Sequence, residues 1–170
     1  MDDLKQNMAT WIRNLENGID PRAGLPEELF LFIGRMTPLV NVDLLIQDTK
    51  KRTLLTWRSD RFYGPGWHVP GGVVRYKEAA AERVHAVARL ELEAAVTFDP
   101  APILVNENIN LRARDRAHAI SLLYRCRLAS GLDPRRRYTH ESPAPDQWLW
   151  HERCPTNLIP EQRAYAALMG

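Results

Sequence analysis

An α+β fold with a mixed β-sheet, preceded by an N-terminal helical extension, is what this sequence predicts, and three observations predict it. One strongly patterned helix, from about Lys77 to Glu93, has strand-like apolar runs before and after it. The residues ahead of the first such run instead carry apolar side chains at helical spacing. A chain of 170 residues, 45% hydrophobic and 26% charged, has enough material for one catalytic domain with a packed core and an appended N-terminal segment.

In chain order, Leu4, Met8, Trp11, Ile12 and Leu15 share one stripe of a helix over residues 1–17, which Gly18, Asp20-Pro21 and Gly24 end. A second short helix spans Pro26 to Arg35, so residues 1–36 form the extension and 37–170 the domain. Pro38 opens PLVNVDLLIQD, an apolar run holding the polar pair Asn41 and Asp43. TLLTWRSD follows after TKKR, which predicts a hairpin of strands 38–48 and 53–58. Gly64-Pro65-Gly66 leads into WHVPGG and then the helix. Beyond it, PILVNENIN and HAISLLYRCRL are strands, DPRRRYTHESPAPD is a polar loop, QWLWH is a short strand, and Pro160–Met169 is a closing helix.

Several function classes are excluded at this level. A net charge of +2, with no run of eighteen apolar residues and no signal-like start, predicts a cytoplasmic protein without a membrane partner. Arg135-Arg136-Arg137 is one short basic run without an aromatic signature, so no nucleic-acid partner is expected. Cys126 and Cys154 lack the spacing of a zinc site or a disulfide framework.

The central helix carries the chemistry. Glu78, Glu82, His85, Arg89 and Glu93 share one mixed-charge side, as a solvated face would. The opposite stripe, Ala80, Val84, Val87 and Ala88, runs into Glu91. A carboxylate on an apolar face must meet a cation, a metal ion or a water-filled cleft, unless helix fraying frees it to solvent. Ahead of the helix, Gly71 and Gly72 permit a sharp strand-to-helix turn that directs a backbone carbonyl or amide at a ligand. A carbonyl and a carboxylate suffice for Mg2+ when a substrate diphosphate supplies further oxygens.

These residues resemble the Nudix hydrolase family, whose signature runs Gly, five residues, Glu, seven residues, then Arg-Glu, a bulky apolar residue, any residue, Glu-Glu, any residue, Gly and a second bulky apolar residue. Gly72 and Glu78 match. Ala86-Val87 stands at the Arg-Glu position, Leu90-Glu91 at Glu-Glu, and Glu93 at the Gly. Keeping only the last glutamate is similar to the GDP-mannose mannosyl hydrolase branch, and the likeness covers roughly residues 37–128. It implies a Nudix-type α/β/α sandwich and a Mg2+ ion held by the Gly71 carbonyl and Glu91. Asp43 and Arg58 match the branch's substrate-contacting acid and catalytic arginine. The implied reaction is hydrolysis of a nucleoside diphosphate sugar at its anomeric carbon, by a homodimer.

Departures accompany the match. Val73 replaces the branch's arginine, leaving Arg75 as the nearby charge, and Ala119 replaces a tyrosine after the matching His118. The nearest equivalent of the branch's loop histidine, its general base, is His140, displaced by three residues. Tyr63 and Trp67 flank the motif as candidates to stack on a base. Asp43 has a plain alternative, pairing with Arg58 across the hairpin. The alternative activities are Nudix pyrophosphohydrolase cleavage between the phosphates, with Glu78 or Glu82 recruited to metal, and a catalytically inactive ligand-binding domain.

Overall fold

The computed structural model describes residues 2–139 and 142–170. Its helices are α1 (Asp2–Gly18), α2 (Glu27–Gly34) and α3 (Ala80–Leu92), with 3-10 helices at Pro134–Arg136 and Pro160–Leu168. The strands are β1 (Leu39–Ile46), β2 (Thr53–Arg58), β3 (Gly66–His68), β4 (Gly71–Val73), β5 (Val96–Phe98), β6 (Leu104–Ile109), β7 (His118–Leu128) and β8 (Trp148–His151). The large sheet is mixed, in the order β4-β1-β7-β5, with β6 also pairing with β7. β1 and β7 run parallel and the other pairs of that sheet antiparallel. A second sheet, β3-β2-β8, is wholly antiparallel.

The expected hairpin is corrected here. β1 and β2 meet through a single bridge, Gln47 to Thr53, and then diverge into different sheets. The physical reason is that both strands are apolar on two faces. Leu44, Leu45, Ile46, Leu54 and Leu55 are all buried, which suits two stacked layers rather than one half-exposed ribbon. The turn between them is set by Asp48, whose Oδ1 accepts from the Lys50 and Arg52 amides at 2.9 Å each.

Alternation along β1 decides what faces the cleft. Val42, Leu44 and Ile46 pack with Val84, Val87, Ala88 and Leu92 of α3. Asn41, Asp43 and Leu45 therefore point to the other face, where Leu45 joins Leu55, Trp67, Val69, Leu123 and Tyr165 in a second core. The closing segment, a 3-10 rather than an α-helix, supplies Tyr165 and Gln162 to this layer.

α3 starts later than predicted because Lys77 is left-handed, at φ 56°. The Glu82 carboxylate accepts from the Ala79 amide at 2.8 Å and starts the helix there. Glu93 ends it in a left-handed conformation at φ 52°, the position where the family signature carries glycine.

The N-terminal stripe is outside this packing. Leu4 and Trp11 are 74% and 71% exposed. α2, in contrast, is tied to the body by an Arg35–Asp115 ion pair, an Arg61–Glu27 pair, and Phe30 beneath the Arg116 guanidinium. Among the described residues no helix is long and apolar enough to cross a membrane.

Glu93→Gly should stabilise the fold by about 0.5–1 kcal/mol, because it relieves the left-handed strain at the cost of one exposed ion pair to Arg136. Urea unfolding measures it. A midpoint equal to or below wild type contradicts the strain argument.

Candidate active site

The site is built where the chain crosses from the small sheet to the large one. Gln162 grips the crossing with both ends of its amide: Oε1 accepts from the Val69 amide at 2.6 Å and Nε2 donates to the Val69 carbonyl at 3.0 Å. Pro70 then delivers its carbonyl to the Leu44 amide at 2.8 Å. This register makes Asp43 and Gly71 a non-hydrogen-bonded pair, so the Gly71 amide and carbonyl both turn away from β1. The amide meets Glu91 Oε1 at 3.4 Å. A side chain at 71 would collide with the Asp43 carboxylate, and one at 72 would press on Val87 of α3 at 3.0 Å, so both glycines serve close packing.

Glu91 keeps part of its surface, but its carboxylate is enclosed. Burial raises its pKa to about 8, against the lesser influences of the Gly71 amide and the Arg58 charge, while Asp43 and Asp146 push it further upward. Asp43 is buried, and burial raises it to about 6 even though the Tyr165 hydroxyl donates to Oδ2 at 2.6 Å. It makes no pair with Arg58, whose Nε donates instead to Asp60 at 2.5 Å. Burial lowers His68 to about 4, so the ring is neutral. Its Nδ1 faces the Val69 carbonyl at 2.9 Å and carries the proton, leaving Nε2 to accept from Thr56 at 3.0 Å.

Two joined cavities form the cleft. One, about 60 Å³, includes Asn41, Asp43, Tyr63, Gly71, Ser121 and Glu161 in its walls. The other, about 260 Å³, includes Trp57, Gly71, Glu91 and Asp146. Arg58, His68 and Arg116 border both. Both guanidiniums pack on the Tyr63 ring, Arg58 at 4.6 Å and Arg116 at 5.0 Å from its centroid. Sequence reasoning missed Arg116. It sits in a loop between predicted strands, in a left-handed conformation at φ 53°, and its Nε is buried without a partner among the described residues. A lone arginine in a basic loop gives little signal, and its value comes from where Phe62 and Tyr63 hold it.

The structure brings Asp43, Arg58, Tyr63, Gly71 and Glu91 together at this cleft. It does not bring Arg75, whose guanidinium lies against Gly24 and donates to the Arg22 carbonyl at 3.1 Å in a separate cavity. His118 points its Nε2 at Glu107, 3.2 Å away. His140 lies outside the described residues. Glu78 receives the Arg75 amide and the Arg83 guanidinium, each at 2.8 Å, and Glu82 starts the helix.

Among the described residues no group of three His, Cys, Asp or Glu side chains is arranged to hold a metal ion. The donors that remain nevertheless fit a hard cation. Glu91 is a carboxylate driven toward protonation by burial, beside a backbone carbonyl turned into the cleft, and a divalent ion would reverse that shift.

No family model and no curated protein matches the sequence. Solved structures do. The chain is similar to a MutT Nudix hydrolase from Burkholderia pseudomallei, with a TM-score of 0.58 and 20% identity over 79% of this chain and 99% of that one. It is also similar to an ADP-ribose pyrophosphatase from Streptococcus suis, with a TM-score of 0.52 and 17% identity over 78% and 87% of the two chains. A UDP-X diphosphatase matches with a TM-score of 0.54 and 15% identity, over 95% of this chain and 74% of that one, a span too wide to leave out both N-terminal helices. At these identities the likeness establishes the fold, which is the Nudix fold.

The Glu91 shift fixes a stability prediction. An acid whose pKa rises on folding, here from 4.5 to about 8, keeps its proton in the folded state across that window, so its contribution falls as pH rises through it. Metal-free protein should therefore lose more melting temperature between pH 6 and pH 9 than Glu91→Gln does. The gap at pH 9 corresponds to a few kcal/mol, at about 1.4 kcal/mol per pH unit. Parallel melting curves for the two proteins would contradict the enclosed carboxylate.

Proposed function

We propose that the cleft is the active site of a magnesium-dependent hydrolase acting on a nucleoside diphosphate sugar, releasing nucleoside diphosphate and free sugar. One observation carries this reading: among the described residues Glu91 is the α3 carboxylate that lines the cleft, while Glu78 and Glu82 are committed to the start of the helix. In-line attack at phosphorus is commonly served by two metals that clamp both oxygens. A site with a single α3 carboxylate beside two guanidiniums is better matched to a departing diphosphate.

Bound Mg2+, held by Glu91 and the Gly71 carbonyl, would supply Lewis-acid stabilisation of the leaving group. Arg58 and Arg116 balance the remaining charge from fixed positions, since each packs against Tyr63. Asp43, oriented by Tyr165, accepts a substrate hydroxyl. Neutral His68 does not add charge between them. The proton of the attacking water goes to His140, an assignment that rests on the family resemblance.

A second reading, cleavage between the phosphates, is favoured by the names of two fold neighbours, a pyrophosphatase and a diphosphatase. Product analysis on a panel of nucleotide sugars with Mg2+ separates the two. Nucleoside diphosphate plus free sugar is the expected outcome, and nucleoside monophosphate plus sugar phosphate overturns carbon attack. Glu91→Gln should lower kcat by about 10²–10⁴, and Arg58→Ala by about 10²–10³. Full activity of Glu91→Gln at saturating Mg2+ would remove the metal assignment.

A further inference from the structure

Four buried side-chain polar atoms have no hydrogen-bond partner among the described residues, and three of them belong to residues lining the small cavity of the cleft: Asn41 Oδ1, Glu161 Oε2 and Arg116 Nε. An unpartnered buried polar atom is costly, so three on residues around one cavity mark a place where a ligand supplies the partners. The two acceptors define what that ligand must offer. Glu161 has neither Arg58 nor Arg116 as an ion-pair partner, although those guanidiniums border the same cavity. Its free oxygen and that of Asn41 call for hydrogen-bond donors.

The geometry points to Glu161 and Asn41 as the subsite for vicinal hydroxyl groups of the substrate's sugar, with Glu161 a specificity-determining residue. The wall around them is polar, with Asp43, Asn108 and Ser121 alongside, as suits the hydroxyl groups of a sugar. Across the cleft lie Glu91 and Asp146 at one end, the two guanidiniums in the middle, and Asn41, Asp43 and Glu161 at the other. Cation, diphosphate and sugar fall in that order. The assignment rests on the proposed nucleotide-sugar reading and extends it to the closing 3-10 helix, which carries Glu161 just after Pro160.

The test is calorimetric titration, with Ca2+ in place of Mg2+ to limit turnover, of UDP, GDP and ADP against UDP-glucose, GDP-mannose and ADP-ribose. Wild type should bind one sugar conjugate about tenfold or more tighter than its parent diphosphate. Glu161→Gln and Asn41→Ala should each lose about tenfold on the conjugate and less than twofold on the parent, as expected for a hydrogen bond to a charged or buried acceptor. Equal losses on both ligands, or no loss, overturn the subsite and leave the diphosphate reading standing. A conjugate that binds no tighter than its parent does the same. Failure of wild type to bind any of the six compounds overturns both.

Discussion

The clamp between the Gln162 amide and both backbone groups of Val69 is the constraint on which the cleft depends. It holds the crossing between two sheets at fixed register, and that register turns the Gly71 amide and carbonyl toward α3 rather than toward β1. Glu91 then has a backbone partner, Asp43 has room for its carboxylate beside a residue without a side chain, and Val87 can approach Gly72. A clamp from a distant part of the chain, 93 residues away, means that the closing segment takes part in forming the site. Tyr165, in the same segment, orients Asp43.

Charge is distributed in the cleft against local stability. Asp43 and Glu91 are both forced upward in pKa by burial, and among the described residues no cation pairs directly with either, since Arg58 spends its Nε contact on Asp60. Arg116 is itself lowered by burial, stacked on aromatic rings with its Nε unpartnered among the described residues. Such groups persist when a ligand completes them, because the same low-dielectric surroundings that penalise an unpaired charge strengthen its interaction with an incoming one. A cleft that keeps its acids and guanidiniums apart suits a substrate that brings both an anion and its cation.

Much of this was legible in the sequence. The apolar stripe of α3 running into Glu91, and the turn at Gly71-Gly72, pointed to residues that line the cleft, because helix periodicity and glycine chemistry are local properties. The polar pair Asn41 and Asp43 was visible within an apolar strand for the same reason. Nonlocal features were not legible. The hairpin between β1 and β2 was the economical local choice, and it failed because burial on both faces sends the strands into separate sheets. Arg75 looked close to the turn by position, yet its side chain runs to the N-terminal segment, while Arg116 arrives from a loop more than forty residues downstream of Gly71. Glu161 and Gln162 come from a segment whose pattern announced only a closing helix.

The proposed chemistry depends most directly on a single carboxylate-anchored divalent ion at Glu91. Electron paramagnetic resonance of Mn2+ binding at pH 8, in the presence of a nucleoside diphosphate, counts those ions. One protein-dependent ion per chain for wild type and none for Glu91→Gln is the predicted result; two or more ions per chain, or undiminished binding in Glu91→Gln, would contradict it.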